Sequence, residues 1–412
     1  MEKPGDEQAS LTDPQNATLL VSLALGHAVV HWFTQSFPII LAELVASTGI
    51  GPLAAGTIMG ARSLSGAIAN IPVGIAADRY VHRRTQFMAA GLAWLGGSYF
   101  LIGIAPNLTW IIVFAGVLGI GGALWHPPAV GLLSTRFPAR RASAMAIHGV
   151  GASVGDITGP LLTGALLLVL SWQGVLRASL VPAAGLAALF FLVVRGAGAG
   201  EGRAHTSMAG YFQSLRQAAR HRPLLLSITA GGTRTAGQAI LVTFVPIYAR
   251  DDLGLGPGFV GILLALLMGL SLVSQPILGY ISDRTSRKAT LLPGAAVLVL
   301  MTPFLALVDG PWQLLAVVCI IGPFLFSSAL LLNALGLDLA PAGLHSSVTA
   351  AQFLTGLGLG SAAPVIAGAT AAAAGTAAAF YVAVALFGVT LAIVLVLPST
   401  KSTTPTPRFA VR

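Results

Sequence analysis

In the stretch GHAVVHWFTQSFP, His27, His31 and Gln35 stand four residues apart. In an α-helix, four-residue steps stack side chains on one face, so the three form a stripe across an arc of about 80° at 3.6 residues per turn. Such a stripe can line a water-filled cavity and hold a polar solute, or it can make hydrogen bonds between helices. Histidines at i and i+4 also have metal-ligand spacing. No carboxylate or cysteine lies near them in sequence, so no metal site and no cofactor is assigned. His148 and Asp156 lie eight residues apart on nearly one helical face, a spacing suited to passing a proton through water. Arg234 and Gln238 form a further four-residue pair, and arginine presents a planar fork to a carboxylate or phosphonate. Asp156 could instead pair with Arg234 as a structural tie. His126, Arg62 and Asn333 complete the set of polar candidates within apolar runs.

The elements that must position these residues follow from composition. The chain has 412 residues, 55% hydrophobic and 8% charged, with a mean hydropathy of +0.85. A soluble domain carries about 25% charged residues, so lipid is the expected solvent. In lipid, ionisable side chains are costly and face a cavity or one another, which makes the polar residues above functional candidates. The 49 glycines and 24 prolines are scattered through apolar runs, as membrane helices tolerate. The net charge of +9 is spread over short loops between apolar segments. That pattern is explained by topology rather than by nucleic acid. Cys319 is the single cysteine, which excludes an intrachain disulfide. The opening MEKPGDEQASLTDPQ lacks a basic n-region, so the first apolar segment is expected to stay in the mature protein.

A spanning helix needs about 20 mostly apolar residues. Twelve such segments are expected, at 18–46, 55–77, 85–105, 109–134, 142–170, 174–195, 223–249, 258–281, 290–308, 313–336, 346–370 and 376–398. The fold class is therefore an all-α integral membrane protein with twelve transmembrane helices in two pseudo-symmetric six-helix bundles. The expected organisation is a cytoplasmic tail at 1–17, an N-terminal bundle at 18–195, a cytoplasmic central loop at 196–222, a C-terminal bundle at 223–398 and a second cytoplasmic tail at 399–412. Within the central loop, Tyr211, Phe212 and Leu215 fit either an interfacial amphipathic helix or a solvated linker. Of the 22 lysines and arginines, Arg177 and Arg250 fall on outer loops, and Arg62 and Arg234 lie within spans. The rest lie on the side of the N-terminus, which puts both termini in the cytoplasm by the positive-inside rule.

The two halves repeat. Gly74, Asp78 and Arg79 in PVGIAADRYVHRR recur as Gly279, Asp283 and Arg284 in PILGYISDRTSRK, at a constant offset of 205. ITGPLLTG in the fifth segment matches SAAPVIAG in the eleventh, so that Pro160 and Gly164 recur as Pro364 and Gly368. Near-constant offsets over half a chain indicate two homologous six-helix units.

Gly74, Asp78, Arg79, Arg83 and Arg84 resemble the loop motif G-x-x-x-D-R-x-x-x-R-R of the major facilitator superfamily, with Val81 where that family has glycine. Gly155, Gly159, Pro160 and Gly164 resemble the glycine–proline motif of its proton-coupled antiporters, with Thr163 and Ala146 replacing two glycines. Packing alone could also account for these four small or kinking residues. ALWHPPAVGLLSTRFPARRASAMAIHGVGASVGDITGPLLTG is similar to the fosmidomycin-resistance-type branch, associated with export of drugs or small anions. The resemblance implies that helices 1, 4, 7 and 10 line a central cavity. His27, His31, Gln35, His126, Arg234, Gln238 and Asn333 would then contact substrate, with Asp156 and His148 coupling protons. Arg62 would gate or snorkel, and the two loop copies (Gly74, Asp78, Arg79, Arg83, Arg84; Gly279, Asp283, Arg284) would gate, or serve topology alone.

The expected function is secondary active transport of a small, anionic or drug-like organic solute by alternating access, with proton-coupled efflux. Proton-coupled uptake of a small organic anion and a non-transporting receptor or scaffold are the alternatives. No G-x-x-x-x-G-K-[ST], H-E-x-x-H or G-x-S-x-G pattern occurs, so neither ATP-driven pumping nor an enzyme is expected. The expected partners are substrate, protons and the lipid bilayer, with no nucleic acid. The expected form is a monomer in the cytoplasmic (inner) membrane.

Overall fold

A computed structural model describes residues 11–196, 221–340 and 345–399. The described residues form helices α1 (Pro14–Thr48), α2 (Pro52–Arg79), α3 (Arg84–Gly103), α4 (Leu108–Arg136), α5 (Arg141–Leu166) and α6 (Trp172–Val194) in the first half. The second half gives α7 (Arg222–Ile247), α8 (Pro257–Arg284), α9 (Arg287–Ala306), α10 (Pro311–Asp338), α11 (His345–Ala374) and α12 (Ala378–Val396). Each expected span is met by a helix, and no strand occurs among the described residues. Tyr211, Phe212 and Leu215 lie outside the described residues, so the structure does not bear on the central-loop helix.

Eight of these helices are long and apolar enough to cross a membrane by composition alone. The other four are α2, α3, α5 and α7. Three of them carry Arg62, His148 with Asp156, and Arg234. The polar residues that those three helices carry are among the candidates for function.

Local chemistry sets the helix ends. Asn107 Oδ1, Ser171 Oγ and Ser286 Oγ accept from the backbone N–H three residues on, at 3.2, 3.1 and 3.1 Å, which satisfies a donor otherwise orphaned at a helix start. Gly49 and Gly375 follow α1 and α11 with φ of +70° and +89°, the left-handed conformation that glycine adopts without steric cost. Helix α9 ends in a 3₁₀ turn over Thr302–Ala306. Helices α6 and α10 are interrupted at Ser179 and Phe326. Nearby Pro182 and Pro323 each remove a backbone donor from the ladder.

The chain divides into two compact units, one of residues 1–40 and 61–205, the other of residues 41–60 and 206–412. The tip of the α1–α2 hairpin thus packs with the second unit. A Cβ on Gly60 would stand 2.7 Å from the Ser361 carbonyl oxygen, and one on Gly56 would run into that of Pro364. In the first unit α3 packs on α4 and α6, and α4 on α5. In the second, α7 packs on α11 and α12, and α8 on α10.

The repeat read from the sequence is repeated in the packing. In the first unit Gly151, Gly155 and Gly159 press α5 onto α1 at Ala24, Ala28 and Trp32. In the second, Gly232 of α7 lies against Thr355 and Leu359 of α11. Ser65 Oγ on α2 donates to the Gly116 carbonyl of α4 at 2.5 Å, and Ser274 Oγ on α8 donates to the Pro323 carbonyl of α10 at 2.5 Å. Both pairs use a small hydroxyl residue against a backbone carbonyl to bring helices together, as helices do where lipid supplies no hydrophobic drive between them.

Candidate functional site

The first polar cluster lies in the first unit. Three glycines allow α5 to approach α1 closely. At Gly155 an added Cβ would lie 2.7 Å from His31 Cβ. Next along α5, Asp156 accepts from His31 Nδ1 at 2.7 Å and from Gln35 Nε2 at 3.1 Å. Gly26 leaves room for the Trp125 ring, which an added Cβ would overlap, and the following residue His126 comes to 3.3 Å from His27. His27 Nδ1 donates to the His148 carbonyl at 2.9 Å, and the two imidazoles stack with centroids 3.9 Å apart and planes 5° from parallel.

The stripe on α1 therefore makes interhelical hydrogen bonds, yet His31 and Asp156 keep about a fifth of their side-chain surface exposed (21% and 23%). His148 and Asp156 are joined through the rings of His27 and His31, whose centroids lie 4.6 Å apart. The route runs over side chains of a second helix rather than along α5 alone.

Arg62 occupies a structural niche in the same unit. Pro38 cannot donate back to the Thr34 carbonyl, and Arg62 Nη2 donates to that oxygen at 3.0 Å. Its guanidinium also lies over the Phe37 ring, 5.4 Å from the centroid, within cation–π range.

The second cluster lies in the second unit. A cavity of about 240 Å³ is lined by Arg234, Thr235, Asn333 and Gln352, with Gly231 and Gly356 at its walls. Arg234 is buried. Its Nη1 donates to Gln238 Oε1 and to the Leu325 carbonyl, both at 2.6 Å, and Nη2 donates to Thr235 Oγ1 at 2.9 Å. The Leu325 oxygen is free because α10 breaks there and Ala329 N–H turns to the Phe326 carbonyl instead. Arg234 Nε and Gln352 Oε1 are buried without a partner, and Arg234 is in no ion pair among the described residues. The site thus holds a desolvated cation bonded to neutral acceptors, an arrangement that an anion would complete.

The two loop copies resolve into one buried arginine each. Arg84 donates to Asp78 Oδ1 at 3.3 Å, to the Ala77 carbonyl at 3.1 Å and to Thr135 Oγ1 at 3.3 Å. A Cβ on Gly131 would press to 2.9 Å from its guanidinium carbon. Arg79 and Arg83 flank the Tyr80 ring instead. In the second copy Arg287 donates to Asp283 Oδ1 at 2.6 Å, Asp338 Oδ2 at 3.1 Å and Ser282 Oγ at 3.1 Å, while Arg284 stacks 4.0 Å from the Tyr280 centroid. A Cβ on Gly74 would make only an ordinary contact with Pro127 at 3.9 Å, and one on Gly279 would meet nothing within 4 Å among the described residues.

Sequence reasoning did not single out Arg287, which stands at nearly the repeat offset from Arg84. It also missed the roles of Thr235 and Gln352 beside Arg234. The bidentate pair of Arg250 with Glu43, at 2.6 and 3.2 Å, was a further omission. That pair joins the end of α1 to the end of α7, and the Glu43 hydrogen bonds hold the Arg250 guanidinium above its ordinary range.

Comparison with known proteins bears on the fold and family. Two segments resemble proteins described as exporters or resistance proteins. A "Multidrug resistance protein B homolog" of Mycobacterium tuberculosis is 34% identical over 122 residues, 29% of this chain and 22% of that protein. The "Tetracenomycin C resistance and export protein" of Streptomyces glaucescens is 36% identical over 125 residues, 30% of this chain and 22% of that protein. The chain thus matches less than a quarter of the length of these two relatives. Among solved structures, a bacterial homologue of the human lysosomal transporter Spinster, inward-facing and unoccupied, superposes with a TM-score of 0.75 at 17% identity, covering 93% of this chain and 95% of that one. The nucleoside transporter NupG superposes with a TM-score of 0.72 at 12% identity, covering 92% and 98%. At such identities these structures speak for the fold alone. The model of the Major Facilitator Superfamily matches residues 23–364, most of the described helices, and with twelve helices in two repeated halves the chain belongs to that superfamily as a multi-pass membrane protein.

Proposed function

We propose that this protein is a secondary active transporter that exports a small, anionic or drug-like organic solute in exchange for protons. The observation that carries this reading is Arg234, a buried cation with neutral partners beside a cavity. Asn333 and Gln238 add hydrogen-bonding groups around an anion there. His27, His31, Gln35 and His126 supply polar contacts in the first unit. Asp156 is the proton carrier, because it is part-exposed and already shares hydrogen bonds with His31 and Gln35. His148 extends that network through His27. The relatives described as resistance and export proteins support efflux over uptake. Asp78–Arg84 and Asp283–Arg287 act as latches on the cytoplasmic side, since an exposed carboxylate on a buried arginine can release without a large penalty. Arg62 acts by holding α2 to the bend of α1. The protein works as a monomer in the cytoplasmic membrane with both termini inside.

The test is flux in proteoliposomes under an imposed pH gradient, with a labelled phosphonate drug as solute. Wild type should accumulate label when the gradient is set and stop when it is collapsed. Asp156→Asn should lose the gradient-driven component and keep solute exchange. Gradient-driven flux in the variant equal to wild type would remove Asp156 from coupling.

A further inference from the structure

Three imidazoles in the first unit are oriented by their own hydrogen bonds. His27 Nδ1 lies 2.9 Å from the His148 carbonyl oxygen, and His126 Nδ1 lies 2.7 Å from the Gly122 carbonyl oxygen. A carbonyl only accepts, so both Nδ1 atoms carry hydrogen. His31 Nδ1 lies 2.7 Å from Asp156 Oδ1, and the carboxylate imposes the same tautomer. Each neutral ring then presents a lone pair on Nε2.

His27 Nε2 and His126 Nε2 face each other at 3.3 Å. In these tautomers neither has a hydrogen to donate, so two lone pairs face each other, and a cation between or beside them would relieve the contact. Tetrahedral zinc with Zn–N of about 2.0–2.1 Å sets ligand nitrogens about 3.3 Å apart. One ring nitrogen from each of His27, His31 and His126 lies within 4.8 Å of the other two, so the three rings converge.

We propose that His27, His31 and His126 bind one divalent transition-metal ion of the zinc class, with a fourth position open to water or an anion. The nitrogen donor set favours zinc, copper, nickel or cobalt over magnesium and calcium, which take oxygen ligands. Asp156 is the outer carboxylate of a carboxylate–histidine–metal arrangement, and the Gly122 and His148 carbonyls orient the other two rings. Three neutral imidazoles leave the ion its full charge, and Asp156 offsets part of it. His148 is stacked on His27 and is not one of the three converging histidines, which leaves the fourth position to water or an anion. The sequence alone argued against a metal because no carboxylate lies near the His27–His31 pair. The fold supplies Asp156 from α5 and a third imidazole from α4. This site does not depend on the transport reading, and its test involves no flux.

The full chain, without a histidine tag, is purified metal-free in detergent and titrated with Co²⁺ and Zn²⁺ by calorimetry and visible spectroscopy. One equivalent should bind, and Co²⁺ should give the intense visible absorption of a tetrahedral nitrogen site. His31→Ala and His126→Ala should abolish binding, whereas His82→Ala, at an exposed loop histidine, should leave it unchanged. Asp156→Asn, which keeps the side-chain shape, should weaken binding 10- to 100-fold. If the histidine variants do not elute as folded protein, the wild-type spectrum and the Asp156→Asn titration decide. Absence of stoichiometric binding by wild type overturns the proposal and leaves a proton shared by His27 and His126. Binding that survives unchanged in folded His31→Ala or in Asp156→Asn overturns it as well.

Discussion

Replacing Arg234 separates a substrate cation from a structural one. Its Nη1 makes hydrogen bonds at 2.6 Å to Gln238 and to the Leu325 carbonyl. In Arg234→Gln the Leu325 oxygen at the break of α10 loses a donor, which costs about 1–3 kcal/mol for a buried unsatisfied group. Burying the guanidinium itself costs several kcal/mol before compensation, and that cost disappears with the charge. The two effects oppose, so unliganded thermal stability should change little. Ligand binding has no such cancellation. An anion in the cavity loses a charge-assisted hydrogen bond worth about 1.5–3 kcal/mol, or about 10- to 150-fold in affinity at 1.4 kcal/mol per decade. A neutral ester of the same solute, making at most an ordinary hydrogen bond of about 0.5–1.5 kcal/mol, should lose about tenfold or less. Arg234→Lys keeps the charge without the planar fork and should fall between the two. The assay is ligand-dependent thermal shift in detergent, with a phosphonate and its ester measured on all three proteins. Equal losses for acid and ester, or undiminished binding of the acid, would refute the anion site and leave Arg234 as a cap on the broken helix.

Other substitutions test the packing, the latch and the topology. Gly151→Ala drives a Cβ into the backbone carbonyl of Ala24, which cannot rotate away, and should cost about 1–3 kcal/mol. Gly149→Ala on the same helix meets open space and should be neutral or gain up to about 1 kcal/mol, so a comparable fall in thermal stability for both would contradict the close α1–α5 contact. Asp78 is 64% exposed at its side chain, so Asp78→Asn should change stability by less than about 1 kcal/mol while reducing transport. Undiminished flux at normal expression would leave the loop a topological signal only. Reporter fusions after Arg222 and Arg412 should read cytoplasmic and a fusion near Asp252 periplasmic; a periplasmic C-terminus would contradict an even number of spans.

What the sequence determined by itself was one-dimensional. Mostly apolar runs of about 20 residues located the twelve helices, including four whose hydropathy alone falls short, because a spanning segment must satisfy its backbone internally. The offset between PVGIAADRYVHRR and PILGYISDRTSRK identified the two repeated units, and helical periodicity put His27, His31 and Gln35 on one stripe. Periodicity fixes the side of a helix on which a residue lies, but not which neighbour that side meets. That second choice depends on the closeness and rotation of packed helices, set here by Gly26, Gly155 and Gly151 against Trp125, His31 and Ala24. Only the tertiary structure could therefore bring Asp156 to His31 and His126 to His27, residues about a hundred or more positions apart. The same holds for the buried arginines. Asp78–Arg79 and Asp283–Arg284 stand out as motifs, yet the aspartates bond Arg84 and Arg287, because a reversing chain returns the start of the next helix to the end of the last. Arg234 was legible as a buried charge. That it pairs with no carboxylate among the described residues was not, since that depends on every helix packed around it.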